Sequence, residues 1–176
     1  MPAANPFRTL LKHRNFRLFW FGQTLSLIGT WMQTMALGWL TLQLSNSPFL
    51  VGVVASATAW PIVGMSIFAG VLVDRGNKLK LVIFGQWMFL LQAVALWWLD
   101  WCGHATVWWL VALAFASGLI NAVEIPARQS LMVELVGRDD LRDAIALNSS
   151  GFNLARIVGP AIGAVAIAQL GIAWCF

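Results

Sequence analysis

Charged residues inside or beside long apolar segments are the part of this sequence that could do chemistry. Glu124 and Arg156 lie within two such segments, and Asp74 and Arg75 lie at the end of a third. Ionisable groups at membrane depth are costly, so they usually face the interior of a helix bundle and pair with each other or bind an ion or substrate. At the helical rise Arg156 lies about 16 Å into its segment, near the middle of a bilayer. We expect it either to form a substrate or counter-ion site or to pair with a polar group of a neighbouring helix.

Glu124 and Arg128 are four residues apart and would form an ion pair on one face of any helix that contained both. Pro126 lies between them, and the residue before a proline is biased away from helical backbone. We therefore expect a helix to end at residue 125 and a short amphipathic helix to occupy residues 127–135. Glu124 is the only acid inside a predicted span, so the residues by themselves give little support for proton coupling.

Composition predicts that membrane-spanning helices position these groups. The chain is 60% hydrophobic and only 10% charged, which is unlike a soluble domain. Five apolar segments are long enough to cross a hydrocarbon core of about 30 Å. They lie near residues 19–42, 49–73, 81–99, 107–125 and 144–170. We expect an all-α bundle of about five transmembrane helices in the lipid bilayer.

Basic residues occur in alternate connections between these segments. They precede the first segment, separate the second from the third, and separate the fourth from the fifth, whereas the other two connections have none. They include Lys12, Arg14, Arg17, Arg75, Lys78, Lys80, Arg128, Arg138 and Arg142. The positive-inside rule then places the N-terminus in the cytoplasm. The net charge of +4 reflects this topology, and a nucleic-acid partner is not expected.

The cysteines and histidines form no catalytic or metal-binding pattern. Cys102 and Cys175 are far apart in the sequence, and a disulfide between them is geometrically possible but unsupported. His13 and His104 are isolated outside the spans, where we expect solvated or interfacial side chains. An intramembrane protease would need paired catalytic groups within the membrane. We expect no enzymatic activity, no metal site and no cofactor.

A polar stripe runs along the first apolar segment. Gln23, Ser26, Thr30 and Gln33 recur at spacings of three and four residues and therefore share a helix face. Together with Asn121 on the fourth segment, they are candidates for lining a substrate cavity. The alternative is that the stripe forms hydrogen bonds between helices.

The last apolar segment has small residues at four-residue intervals. They are Gly151, Ala155, Gly159 and Gly163. Such a stripe permits close approach of a second helix. Pro160 removes one backbone hydrogen bond and could bend the helix. Asp139 or Asp140 is expected to cap its start.

One loop motif resembles the major facilitator superfamily of transporters. The stretch GVLVDRGNKLK, residues 70–80, is similar to that family's loop between helices 2 and 3. The matching positions are Gly70, Leu72, Asp74, Arg75 and Lys78. Asn77 stands where the family has glycine, and we expect it to tolerate left-handed backbone. We also expect Gly70 to allow close helix contact and Lys78 to stay in water.

A second motif resembles the glycine-proline signature on helix 5 of drug-proton antiporters in the same superfamily. Its positions here are Ala155, Gly159, Pro160 and Gly163, and Ala155 takes the place of a glycine. With the PAR and NLARIVGP stretches, the chain looks most like the branch of bacterial siderophore exporters and macrolide efflux pumps, the transmembrane secretion effectors.

The resemblance implies a secondary active transporter that exports small molecules such as drugs or siderophores. It implies proton coupling and alternating access in a bacterial inner membrane. An inner charge network would latch the closed cytoplasmic side; its candidates are Gly70, Asp74, Arg75, Lys78, Glu124 and Arg128. Residues 1–176 would be an incomplete N-terminal half whose partner is the missing C-terminal half, with the Gly159 and Gly163 face left exposed. The alternative is a self-contained five-helix interaction or assembly protein without transport activity.

Overall fold

The computed structural model describes residues 6–176, and within them the chain is a bundle of α-helices without strands. The helices are α1 (Pro6–Lys12), α2 (Arg14–Ser45), α3 (Pro48–Arg75), α4 (Lys78–Trp101), α5 (Val107–Val136) and α6 (Leu141–Leu170). A short 3-10 helix follows at Ile172–Cys175. The predicted all-α fold is therefore confirmed.

Four of these helices are long and apolar enough to cross a membrane, namely α3, α4, α5 and α6. With 32 residues α2 is the longest of the described helices. Its apolar character is diluted by polar residues such as Gln23, Thr30 and Gln33, which is why it is not among the four. The structure is thus a membrane helix bundle in which the first predicted span is the most polar.

Helix α5 contradicts the expected break at Pro126. It continues from Val107 to Val136 with Pro126 inside it, so the separate helix expected at 127–135 does not exist. Ala122 and Ala127, on either side of the proline, are both buried against neighbouring elements. In a bundle, packing of this kind tolerates the loss of the hydrogen bond that proline removes.

The helices pack in two main groups, α2 with α6 and α5 with both α3 and α4. A Cβ added to Gly159 would lie 2.6 Å from the carbonyl oxygen of Ile28, and one added to Gly118 would clash with the carbonyl oxygen of Thr58. Both glycines therefore allow close backbone contact. The expectation that Gly159 and Gly163 form an exposed face is wrong, because α2 covers both.

Apolar clusters occupy the two ends of the bundle. One joins α2, α3, α4 and α5 through residues that include Leu37, Val54, Leu96 and Leu110. Two others, around Phe16 and Leu131, lie near the start of α2 and the end of α5. We call this second end, which contains the α3–α4 and α5–α6 turns, the basic end. Polar side chains are concentrated between the two ends.

Candidate functional site

A partly open cavity of about 430 Å³ lies between the two apolar ends, lined by α2, α3, α4 and α5. Its volume is in the range typical of small-molecule sites. The polar residues on its wall are Thr30, Gln33, Thr34, Thr58, Gln92, Ser117 and Asn121. Thr30, Gln33 and Asn121, which the sequence predicted as cavity residues, therefore line it. We call it the neutral cavity because no described residue on its wall is charged.

Hydrogen bonds on this wall show that the polar stripe of α2 has both of the roles considered for it, lining a cavity and bonding to other helices. Gln33 Nε2 donates to Gln92 Oε1 at 2.7 Å, which ties α2 to α4. The Thr30 hydroxyl donates to the carbonyl oxygen of Ser26 in its own helix. Side chains of the stripe thus line the cavity and also join helices.

A second cavity of about 320 Å³ continues from the first toward the basic end. The two share Thr30 and Asn121 on their walls. The second cavity is also lined by Gln23, Gln86, Glu124 and Arg128. We call it the charged cavity. The charged groups are therefore separated along the bundle from the neutral wall around Gln92.

Glu124 is the most deeply placed acid of this region, with only 2% of the residue exposed. Its Oε2 lies 3.6 Å from Arg128 Nη1, and Gln86 Nε2 donates to its Oε1 at 3.3 Å. Because α5 continues through Pro126, the two charged residues share one face, as the four-residue spacing predicts for a single helix. Gly85 of α4 leaves room for the Glu124 side chain, since a Cβ there would lie 2.9 Å from Glu124 Cγ.

The α3–α4 turn is joined to α5 by one of its expected charges. Lys78 Nζ lies 2.8 Å from Glu134 Oε1, so this lysine is paired instead of fully solvated. Asp74 and Arg75 are exposed and form no ion pair within 4 Å with the side chains of residues 9–176. Of the expected charge network, the structure therefore pairs Glu124 with Arg128 within α5 and Lys78 with Glu134, and it joins neither pair to Asp74 or Arg75.

Two expectations about the same turn are corrected by the backbone. A Cβ added to Gly70 would meet nothing within 4 Å, so no neighbouring helix approaches closely there. Asn77 is extended, with φ of −79°, and is not left-handed. Its side-chain oxygen accepts a hydrogen bond from the Lys80 amide at 3.0 Å. Asn77 thus caps the start of α4, which is a favoured role for asparagine.

Arg156 lies outside the two cavities. Its guanidinium carbon is 5.6 Å from the centre of the Trp31 ring, and the side chain is exposed. This cation–π contact between α6 and α2 replaces the expected polar partner and is worth about 0.5–1 kcal/mol at an exposed site.

The cysteines are both free, and Cys175 is buried with its thiol 3.6 Å from the Gly163 carbonyl oxygen. Among the described residues, no cluster of three or more histidine, cysteine, aspartate or glutamate side chains could hold a metal ion.

Sequence reasoning missed a polar contact at the basic end. Asp140 accepts hydrogen bonds from Lys12 Nζ and from His13, whose Nε2 is 2.8 Å away. Asp140 therefore joins α1 to α6 and makes no side-chain cap to α6. His13 is not isolated. Gln86 and Gln92 were also missed, although two glutamines six residues apart in an apolar segment are a visible signal.

Replacing Asp140 with asparagine should loosen α1. Hydrogen bonds from Lys12 and then His13 lower the pKa of the Asp140 carboxyl. A lowered pKa in the folded state stabilises the contact at neutral pH, and this stability is lost as pH falls through that pKa. Amide hydrogen exchange in α1 should be a few-fold faster in Asp140→Asn than in the wild type at pH 7. In the wild type, faster exchange in α1, compared with the intrinsic amide exchange rate at the same pH, should appear only below the ordinary carboxyl pKa. Asp139→Asn, at an exposed neighbour, is the control; equal exchange in the two variants would contradict the prediction.

The profile of the transmembrane secretion effector family matches residues 4–176. The chain is 26% identical over 155 residues to the staphyloferrin A transporter of Staphylococcus aureus, covering 86% of this chain and 38% of that protein. It is 28% identical over 148 residues to the multidrug efflux pump Tap of Mycolicibacterium fortuitum, covering 81% and 36% of the two chains. It is 23% identical over 167 residues to the enterobactin exporter EntS of Shigella boydii, covering 94% and 40%.

The chain thus spans well under half the length of these curated relatives. No solved structure matches it significantly. A family match across nearly all of the chain agrees with the membrane bundle and its internal cavities. The chain therefore belongs to the transmembrane secretion effector family of major facilitator superfamily transporters.

Proposed function

We propose that this chain forms the N-terminal part of a secondary active transporter that exports small molecules by proton-coupled alternating access. The observation that supports this most is the neutral cavity, which lies midway along the bundle and is mostly apolar with a few polar groups. Transporters of this kind bind substrate near the bilayer midplane between two halves. A C-terminal half would complete the site.

The relatives support export of small molecules as the activity. Two carry names that refer to siderophores, and a third is called a multidrug efflux pump. We propose the same broad class of activity for the full-length product, with the bundle placed in a bacterial inner membrane. The basic residues at the start of α2 and at the α3–α4 and α5–α6 turns support a cytoplasmic basic end.

We further propose that ion pairs at the basic end act as a gate. Glu124–Arg128 joins two turns of α5, and Lys78–Glu134 holds the α3–α4 turn to the end of α5. Asp74 and Arg75 are exposed at the end of α3, a few residues before Lys78, and we propose that they contact the C-terminal half when the cytoplasmic side is closed. Opening this side would then require those contacts to break.

The proposal is tested with the full-length product in inverted membrane vesicles that carry an imposed pH gradient. We expect uptake of at least one compound from a panel of dyes, macrolides and siderophores, and its loss when a protonophore collapses the gradient. Asp74→Asn should reduce this uptake at least several-fold, while Asp139→Asn should not. A stable, correctly inserted product that moves none of these compounds would contradict the proposal and favour an interaction or assembly role.

A further inference from the structure

Gln92 of α4 combines deep burial with an unpaired polar atom. Only 5% of the residue is exposed, and it lies on the wall of the neutral cavity. Its Oε1 accepts the hydrogen bond from Gln33, but its buried Nε2 has no hydrogen-bond partner in the part of the chain that the structure describes. Buried polar groups nearly always have a partner. Rotation of the Gln92 side chain would bring this nitrogen to the surface of the neutral cavity, where a bound molecule would supply the missing acceptor.

The wall around Gln92 indicates the chemistry of that molecule. Apolar side chains such as Leu37, Ile62 and Phe89 line the neutral cavity together with Asn121. No described residue on this wall is charged, so a charged group bound beside Gln92 would find no compensating charge on this wall. The charged pair Glu124–Arg128 lies in the neighbouring charged cavity instead.

We propose that Gln92 is a substrate-recognition residue, and that its amide donates a hydrogen bond to a carbonyl or hydroxyl oxygen of an uncharged, largely apolar molecule. This inference rests on the proposed function, because it treats the cavity as a transport site. It deepens that function by naming the substrate class. A site built to hydrogen-bond a ligand discriminates strongly against analogues that cannot form the bond.

The competing explanation is that Gln92 serves only to hold α4 to α2 through Gln33. A purely structural role predicts that loss of the Gln92 amide weakens the binding of every ligand equally. A recognition role predicts a loss that depends on whether the ligand offers an oxygen acceptor. Two probes of different chemistry therefore separate the explanations.

The test measures equilibrium binding to the purified full-length product in lipid nanodiscs. The probes are tritiated progesterone, which is uncharged and apolar with two ketone oxygens, and tritiated 5α-androstane, an uncharged steroid hydrocarbon with the same four fused rings and no oxygen. We expect Gln92→Leu to raise the Kd for progesterone about tenfold, as for loss of one hydrogen bond. The Kd for 5α-androstane should change by less than about twofold. Gln169→Leu, at an exposed position of α6, is the matched control and should change neither Kd.

A second variant guards against failure of Gln92→Leu to fold. Gln92→Glu keeps an oxygen acceptor for Gln33, but when ionised it has no donor. Progesterone binding should weaken at high pH and recover as pH falls, because the protonated carboxyl can donate again. The wild type should not show this recovery.

Three outcomes would overturn the inference. They are equal loss of both probes in Gln92→Leu, no loss of progesterone binding in either variant, and no saturable progesterone binding by the wild type. Gradient-driven flux is measured separately in vesicles. Flux without Gln92-dependent binding would refute the inference alone, whereas Gln92-dependent binding without flux of any compound would refute the proposed function and leave a ligand site.

Discussion

Replacing Arg128 with glutamine is expected to destabilise the protein by about 3 kcal/mol. The change leaves Glu124, which is almost fully buried, without its positive partner. Removing one member of a buried ion pair typically costs about 3–5 kcal/mol, because the remaining charge is uncompensated. The free energy of unfolding can be measured for the full-length product by titrating SDS into mixed micelles and following helix content.

Two further variants make this prediction specific. The double replacement of Glu124 and Arg128 with glutamine should recover most of the lost stability, since no buried charge then remains. Glu134→Gln breaks the Lys78 pair, but Glu134 has a side chain that is 54% exposed. An exposed pair of this kind contributes less than about 1 kcal/mol. If Arg128→Gln were no more destabilising than Glu134→Gln, the Glu124–Arg128 pair would not stabilise the basic end.

Replacing Gly159 with alanine should cost about 1–3 kcal/mol, the usual effect of overpacking. The new Cβ would lie 2.6 Å from the carbonyl oxygen of Ile28 and 3.0 Å from the amide nitrogen of Met32. These are backbone atoms, so α2 and α6 would have to move apart. The same SDS titration measures the loss.

Gly64→Ala is the matched control for this second prediction. Gly64 is also inside a helix, but a Cβ there would meet nothing within 4 Å. The variant should match the wild type or exceed its stability by up to about 1 kcal/mol, because alanine favours a helix interior over glycine and the new Cβ meets nothing. Equal effects of the two substitutions would mean that close approach at Gly159 does not matter for stability.

The Glu124–Arg128 pair, the close helix contact at Gly159 and the neutral cavity have related physical origins. Polar side chains in the middle of α2, α4 and α5 lie between the apolar clusters at the two ends. An unpaired buried donor such as Gln92 Nε2 costs about 1–3 kcal/mol. Close glycine contacts stabilise the helices that surround this costly layer, whereas the Glu124–Arg128 pair mainly keeps a buried charge compensated. Polar layers of this kind are usually tied to a site, which agrees with the proposed transport role.

The sequence by itself determined the long helical segments and the faces they offer, but neither α1 nor the continuity of α5. Apolar length predicts the spans, because a bilayer demands about twenty apolar residues and internally satisfied backbone. Four-residue spacing predicts the packed small-residue face of α6 and the shared face of Glu124 and Arg128. Three-and-four spacing places Thr30 and Gln33 on one face of α2. All of these are properties of a few neighbouring residues.

Only the tertiary structure decided how those faces meet. Continuation of α5 through Pro126 depends on neighbouring helices that bury Ala122 and Ala127, and this packing outweighs the local bias of the proline. Three contacts join residues that are far apart in the sequence. Gln33 contacts Gln92, 59 residues away; His13 contacts Asp140, 127 residues away; and Arg156 contacts Trp31, 125 residues away. Helical periodicity repeats every few residues and carries no information about such distant pairs, so the arrangement of the bundle had to supply it.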